Sequence, residues 1–587
     1  MIKLLKNFTK KEWGLIILFI GLIIVQVWLE LKMPDYMSEI TVLVQSEGSK
    51  MKDIIINGGY MLLCALGSLG AAIIAGYFIS YLSASFSKRT RKRLFEKVEN
   101  LAMQEVKQFS TSSLITRTTN DITQVEMLIG MGLQLLIKSP ITAVWAITKI
   151  MNKSWQWSTI TAVSVAILLS VIGILVVIVL PRFKIIQKLT DKLNSVTREN
   201  LTGIRVVRAF NAEKYQEKKF DQANSDLTKN QMFTQKSFAI MSPIMYLVMY
   251  FLTLAIYFVG AQLINGALMA DKLTIFGDMI VYSAYAMQVI FAFLMLAFIF
   301  MMLPRAEVSA KRINEVMDAK ISIVDGEIVD PKTDECGTIE FKKVSFKYPD
   351  AEEYLLKDIS FTASRGETVA FIGSTGSGKS TLVNLIPRLY DATDGTIYVN
   401  GIDVKDYNQE SLRNIIGYVP QKAVIFDSSI KDNITYGSNG KSKISMDKIK
   451  ESARIAQAEE FINSTDHGYD THIAQGGTNI SGGQKQRLAI ARAIARDPEI
   501  YIFDDSFSAL DYKTDYKLRH ELKKHTSDAT TLIVAQRIGT IMNADKILVL
   551  ENGKCVGIGT HKELLKNCAV YKEIALSQLT KEELENA

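Results

Sequence analysis

The chain has 587 residues, too many for one ordinary domain. Hydrophobic residues make up 48% and crowd before about Leu303, and 68 Lys+Arg against 61 Asp+Glu give a formal charge of +7. That excess flanks apolar segments, which speaks for membrane topology and against nucleic-acid affinity. Cys64, Cys336, Cys555 and Cys568 show neither metal-ligand nor paired spacing, so free thiols are expected.

The first apolar run, residues 13–29, follows Lys3, Lys6, Lys10 and Lys11. No small-residue cleavage site follows it and further runs do, so a retained transmembrane helix is expected. A hydrocarbon core of about 30 Å needs roughly 20 apolar residues as helix. Six segments qualify: 13–31, 57–83, 127–150, 158–180, 238–264 and 275–303, the third interrupted by Lys138 and Pro140. Lys88, Arg89, Arg91, Lys92, Arg93 and Lys97 follow the second span, and Arg182, Lys184, Lys188, Lys192, Arg198, Arg205 and Arg208 follow the fourth. Both loops, the N-terminus and the C-terminal part should therefore be cytoplasmic. The outer connections are short around Asn152-Lys153 and Asn265-Gly266, and longer over 32–56.

The inner loops, 87–126 and 181–237, hold few turn residues, so the membrane helices are expected to continue into the cytoplasm. Breaks at 109–114 and 203–210 suit short crosswise helices, the second bearing apolar Val206, Val207 and Phe210. A polar helical connection is expected over 305–318. From Gly337 short strand-like runs (338–341, 368–372, 397–399, 415–419, 500–503, 531–534) alternate with helical segments, the texture of an α/β domain. The expected fold is an all-α six-helix membrane domain over 1–318, a linker over 319–336, and an α/β P-loop domain over 337–587.

Gly373-Ser374-Thr375-Gly376-Ser377-Gly378-Lys379-Ser380-Thr381 fits G-x-x-x-x-G-K-S between an apolar strand and a helix start. Glycines let amides approach phosphates, and a helix N-terminus adds positive potential. Lys379 is expected on the β- and γ-phosphates of ATP and Ser380 on Mg²⁺. Asp504 ends the buried run 500–504 beside the metal, and Gln421 is a candidate for Mg²⁺ and the attacking water. Tyr348 lies upstream, where it can stack on the base. Ser481 is suited to cap a helix, and Gly482, Gly483 and Gln484 leave amides exposed at its positive end.

The order Tyr348, 373–381, Gln421, Ser481–Gln484, Asp504, Ser508-Ala509-Leu510-Asp511 resembles the ATP-binding cassette of ABC transporters. Six preceding spans on the same chain resemble the bacterial exporter-type half-transporter. The resemblance implies a multi-pass cell-membrane protein whose cassette is cytoplasmic. It also implies cassettes paired head to tail, with each ATP between one chain's P-loop and the other's Ser481–Gln484 equivalent. The breaks at 109–114 and 203–210 would match the coupling helices of that family.

Three positions depart from the pattern. Asp505 stands where the family carries a catalytic glutamate, and Gln536 where it carries a switch histidine; Gln475 replaces a glutamate common in homodimeric exporters. This combination resembles the degenerate-site subunit of heterodimeric multidrug exporters. Asp505 is one methylene short of the water it should orient, and Gln536 can neither become cationic nor relay a proton. The expected partners are a second half-transporter, membrane lipids, and a hydrophobic, amphipathic or lipid substrate. Tyr246, Tyr250, Tyr257, Tyr282, Tyr285, Met287, Phe291 and Phe293 are available as an aromatic wall. Lipid flipping and nucleotide-gated regulation without pumping are the alternatives.

Overall fold

The computed structural model describes residue 3 and residues 8–46, 48–151, 155–329, 335–437 and 443–579. The expected outer connection at Asn152-Lys153 lies outside them. Two compact units emerge, Met1–Glu99 with Thr111–Ala319, and Asn100–Ser110 with Lys320–Ala587.

In the first unit, among the described residues, six helices are long and apolar enough to cross a membrane: Lys10–Gln45, Met51–Glu99, Thr111–Met151, Trp155–Thr202, Glu213–Gly266 and Asp271–Met317. The expected continuation beyond the apolar runs is present, and 305–317 is the tail of the last helix. Several charged groups inside the bundle are paired, as a low-dielectric surrounding demands. Lys138 lies 2.9 Å from Glu30, which also accepts from Gln26, and Lys149 lies 2.8 Å from Asp35. Tyr285 donates to Asp35 at 2.6 Å. Tyr282 and Tyr285 are fully buried, Tyr282 against Trp157, so these two members of the expected aromatic wall are core packing. Tyr246, Tyr250 and Phe291 are exposed on this chain.

The second break forms the short helix Ile204–Ala209 with Val207 buried and Val206 and Phe210 exposed. The first corrects the expectation. Ser110, at φ 60°, separates the helix Met103–Phe109 from the helix Thr111–Thr118, so the break is confined to Ser110 and a short helix lies on either side of it.

The second unit is built on a six-stranded sheet. Its strands are β3 (Thr368–Gly373), β6 (Ile416–Val419), β9 (Ile500–Asp504), β10 (Thr530–Val534), β11 (Lys546–Glu551) and β12 (Lys554–Gly559), in the order β12-β11-β3-β10-β9-β6. All neighbours are parallel except β11–β12. Successive residues enter two different cores: Val369 and Phe371 face one, Ala370 and Ile372 the other, and β9 divides likewise into Ile500, Ile502 and Tyr501, Phe503. Burial on both faces explains why these strands read as unbroken apolar runs. Each such Ile or Phe contributes about 1.5–3 kcal/mol on burial. A second, antiparallel sheet, β2-β1-β4-β5, comprises β1 (Ile339–Phe346), β2 (Leu356–Ala363), β4 (Asp394–Val399) and β5 (Ile402–Asp403), and β7 (Ser428–Ser429) pairs with β8 (His472–Ile473) in a two-stranded one. All six predicted strand runs are strands.

Candidate nucleotide site

Four parallel strands end on one edge of the larger sheet and deliver their next residues to one place. β3 leads into the loop 373–378, β10 into Ala535-Gln536, β9 into Asp505, and β6 into Pro420-Gln421. The ends are level, since Val534 pairs with both Phe371 and Asp504, and Val419 with Phe503.

The loop after β3 needs its glycines. A Cβ on Gly373 would run into the Leu550 carbonyl, and Gly378 holds φ 95° with Leu356 Cδ2 only 2.6 Å from a built Cβ. Ser374, Thr375 and Gly376 form the exposed tip, whereas Ser377 is buried. Lys379 opens the helix Lys379–Leu385 and folds back, donating to the carbonyls of Gly373 at 2.9 Å and Ser374 at 2.8 Å and to Ser377 Oγ at 3.4 Å. Burial holds its amine below the ordinary lysine range, against the charges of Asp505 and Asp504. A buried cation inside a glycine-bearing loop fits a phosphate chain.

Ser380 Oγ donates to Asp504 Oδ1 at 2.7 Å. Burial pushes the Asp504 carboxyl above its usual range; the Ser380 bond and Lys379 oppose this, and the Asp505 charge adds to it. A hydroxyl and a buried carboxylate in contact are a hard-oxygen donor set that fits Mg²⁺. Asp505 follows at φ 47°, a sparsely populated region for a side-chain-bearing residue, with its N–H bonded to the Val534 carbonyl at 2.9 Å. Its Oδ2 accepts from Gln536 Nε2 at 2.8 Å and from Gln421 Nε2 at 3.2 Å. Two of the three positions that depart from the expected pattern, Asp505 and Gln536, are thus bonded to each other, and Gln421 joins them.

The Tyr348 hydroxyl shares a 3.0 Å hydrogen bond with Thr381 Oγ1. Its ring packs edge-on to Phe346 and Tyr390, with centroids 5.0 and 5.4 Å apart. Lys107, on the helix Met103–Phe109 of the same compact unit, places its amine 4.7 Å from the Tyr348 centroid and 5.3 Å from that of Tyr390. Interaction with the Tyr390 hydroxyl raises that amine above the ordinary lysine range. Sequence reasoning missed Lys107, because no local pattern links it to a tyrosine in another part of the chain.

Ser481 and Gln484 form a reciprocal capping box, Ser481 Oγ accepting the Gln484 N–H at 3.3 Å and Gln484 Oε1 the Ser481 N–H at 2.8 Å. The helix Gly482–Ala495 follows, and the space around the Gly482 Cα is open. Among the described residues, no hydrogen bond joins Ser481, Gly482, Gly483 or Gln484 to the loop 373–378. Asp511 caps the helix Tyr512–His525. A second residue missed in the sequence is Gln578, which bonds the main chain at Gln536 and Ile538.

Comparison with known proteins gives this geometry a setting. Residues 16–303 match the family described as ABC transporter transmembrane region, and residues 356–508 the family described as ABC transporter. The chain is 39% identical over 524 residues to an uncharacterized ABC transporter ATP-binding protein of Mycobacterium tuberculosis, covering 89% of this chain and 87% of the relative. It is 32% identical over 518 residues to an ATP-dependent lipid A-core flippase of Pseudomonas aeruginosa, covering 88% and 83%. Its fold is similar to a solved bacterial Atm1-family ABC exporter with ATP bound, with TM-score 0.81 at 22% identity over 97% of this chain and 99% of that one. The molecule is a multi-pass membrane protein with a cytoplasmic ATP-binding cassette, in a six-helix half-transporter architecture. On these matches the chain belongs to the ABC transporter family.

Proposed function

We infer that this chain is one half of a heterodimeric, ATP-driven exporter of hydrophobic or amphipathic compounds, with a degenerate nucleotide site of its own. The boundary between its two domains falls in the segment 319–336. Tyr348 would stack on the base, the loop 373–378 with Lys379 and Thr381 would hold the phosphates, and Ser380, Asp504 and Gln421 would hold Mg²⁺, which would neutralise phosphate charge. ATP captured between paired cassettes favours the closed state, because a ligand that binds only one state shifts the population toward it. Ser481, Gly482, Gly483 and Gln484 complete the partner's site, where most hydrolysis occurs.

The observation that carries this reading is the Gln536–Asp505 bond. A neutral amide and a short, doubly tethered carboxylate stand where proton chemistry would otherwise be organised, a contribution typically worth about 10²–10⁴ in rate. The test compares ATP turnover by the purified chain alone and with its partner; brisk turnover by the chain alone would end the proposed division of labour. Lipid flipping is a second reading, supported by the 32% identity to a lipid A-core flippase. Stimulation of ATP turnover by lipids but not by hydrophobic drugs would favour it.

A further inference from the structure

The Gln536–Asp505 bond depends on where the main chain after β10 is held. The last described helix, Ala569–Gln578, ends in a side chain that brackets that segment. Gln578 Nε2 donates to the Gln536 carbonyl at 2.8 Å, and Gln578 Oε1 accepts the Ile538 N–H at 2.8 Å. One amide thus takes an acceptor and a donor two residues apart, which restricts the dihedral angles between them. The helix carrying it is firmly seated: Tyr571 and Ala575 are fully buried, and the Tyr571 hydroxyl lies 2.6 Å from His561 Nδ1. On the other side Ile538 and Ile541 are buried in the same core.

We propose that Gln578 is a positioning residue for the nucleotide site, fixing the Gln536 main chain so that its side chain reaches Asp505 and the γ-phosphate. The γ-phosphate part rests on the reading of the site given above. The Gln578 side chain bonds main-chain groups of Gln536 and Ile538, so it acts through Gln536. The bracket makes the C-terminal helix part of the hydrolytic apparatus, since reacting groups must be held within a fraction of an ångström to work.

The test uses the full chain assembled with a partner whose own catalytic acid has been removed, in the wild-type background and in an Asp505→Glu/Gln536→His background where this site is expected to turn over faster. Gln578→Met keeps the side-chain volume and removes both hydrogen bonds, whereas Gln578→Glu keeps the acceptor for Ile538 and loses the donor to Gln536. The expected result is a kcat about three- to tenfold lower for Gln578→Met, with Gln578→Glu between it and the parent. KM for ATP and the thermal midpoint stay unchanged, and amide exchange quickens over 535–540. Unchanged exchange would show that the bracket does not exist. Faster exchange with unchanged kcat would show that it positions nothing, and a fallen thermal midpoint with kcat and KM moving together would reduce it to a structural prop. Each of these overturns the proposal. If the restored background gains no activity, the reading of a degenerate site has failed, while a selective kcat loss on Gln578→Met still supports the positioning role.

Discussion

Gln536 Nε2 lies 2.8 Å from Asp505 Oδ2, and the same oxygen accepts Gln421 Nε2 at 3.2 Å. An amide cannot take up a proton, and an acid whose oxygen is engaged by two amides is poorly placed to receive one from water. This is the geometry on which the proposed division of labour rests.

Lengthening the acid and supplying an imidazole should shift that division. Asp505→Glu together with Gln536→His is expected to raise single-site ATP turnover about 10- to 100-fold, below the full range for two acid–base groups. Single-turnover kinetics with the partner's own acid removed isolates the site. No gain would mean that these two positions are not what slows it.

A charge buried at Asp504 sets a pH dependence. Its folded-state pKa is raised, chiefly by burial, so its contribution to stability is greatest below its unfolded value and is lost as pH rises through the folded one. Asp504→Asn is accordingly expected to stabilise the nucleotide-free protein at neutral pH, the difference vanishing as the solution is acidified. Thermal unfolding across pH checks this. A gap that widens on acidification would contradict the assigned direction.

Tyr348 offers a ring and a hydroxyl with separable roles. Tyr348→Phe loses only the 3.0 Å bond to Thr381 and should barely change ATP affinity. Tyr348→Ala should weaken it about 5- to 100-fold, the usual worth of a stacked base. Titration with a fluorescent ATP analogue decides between them, and equal affinities for the two variants would exclude stacking.

Within the bundle, Lys138→Met strands the Glu30 carboxylate that also holds Gln26 at 2.8 Å. The pair joins two membrane-spanning helices, so the loss should be about 3–5 kcal/mol. Adding Glu30→Gln should recover most of it. Thermal unfolding in detergent measures both, and a double variant no better than the single one would remove the pair's significance.

The sequence carried the spans and the nucleotide loop because both are local. Apolar length marks a membrane helix, and the 373–381 pattern encodes a strand, a tight loop and a helix start in consecutive residues. Serines at 110, 112 and 113 likewise signalled a break, yet only Ser110 leaves the helical conformation, with short helices at Met103–Phe109 and Thr111–Thr118 on its two sides. The bond between Gln536 and Asp505 was out of reach, since two adjacent parallel strands place those side chains together only after the sheet is assembled. Gln578 was further still: a glutamine near a helix end has no sequence signature until its helix docks.

Lys107 travels with the soluble unit although the chain reaches it from between membrane helices. A cassette severed at Gly337 therefore leaves behind the ammonium group that lies over Tyr348 and Tyr390. If Tyr348 stacks on the base as proposed, purine preference measured on such a fragment would describe a purse without its clasp.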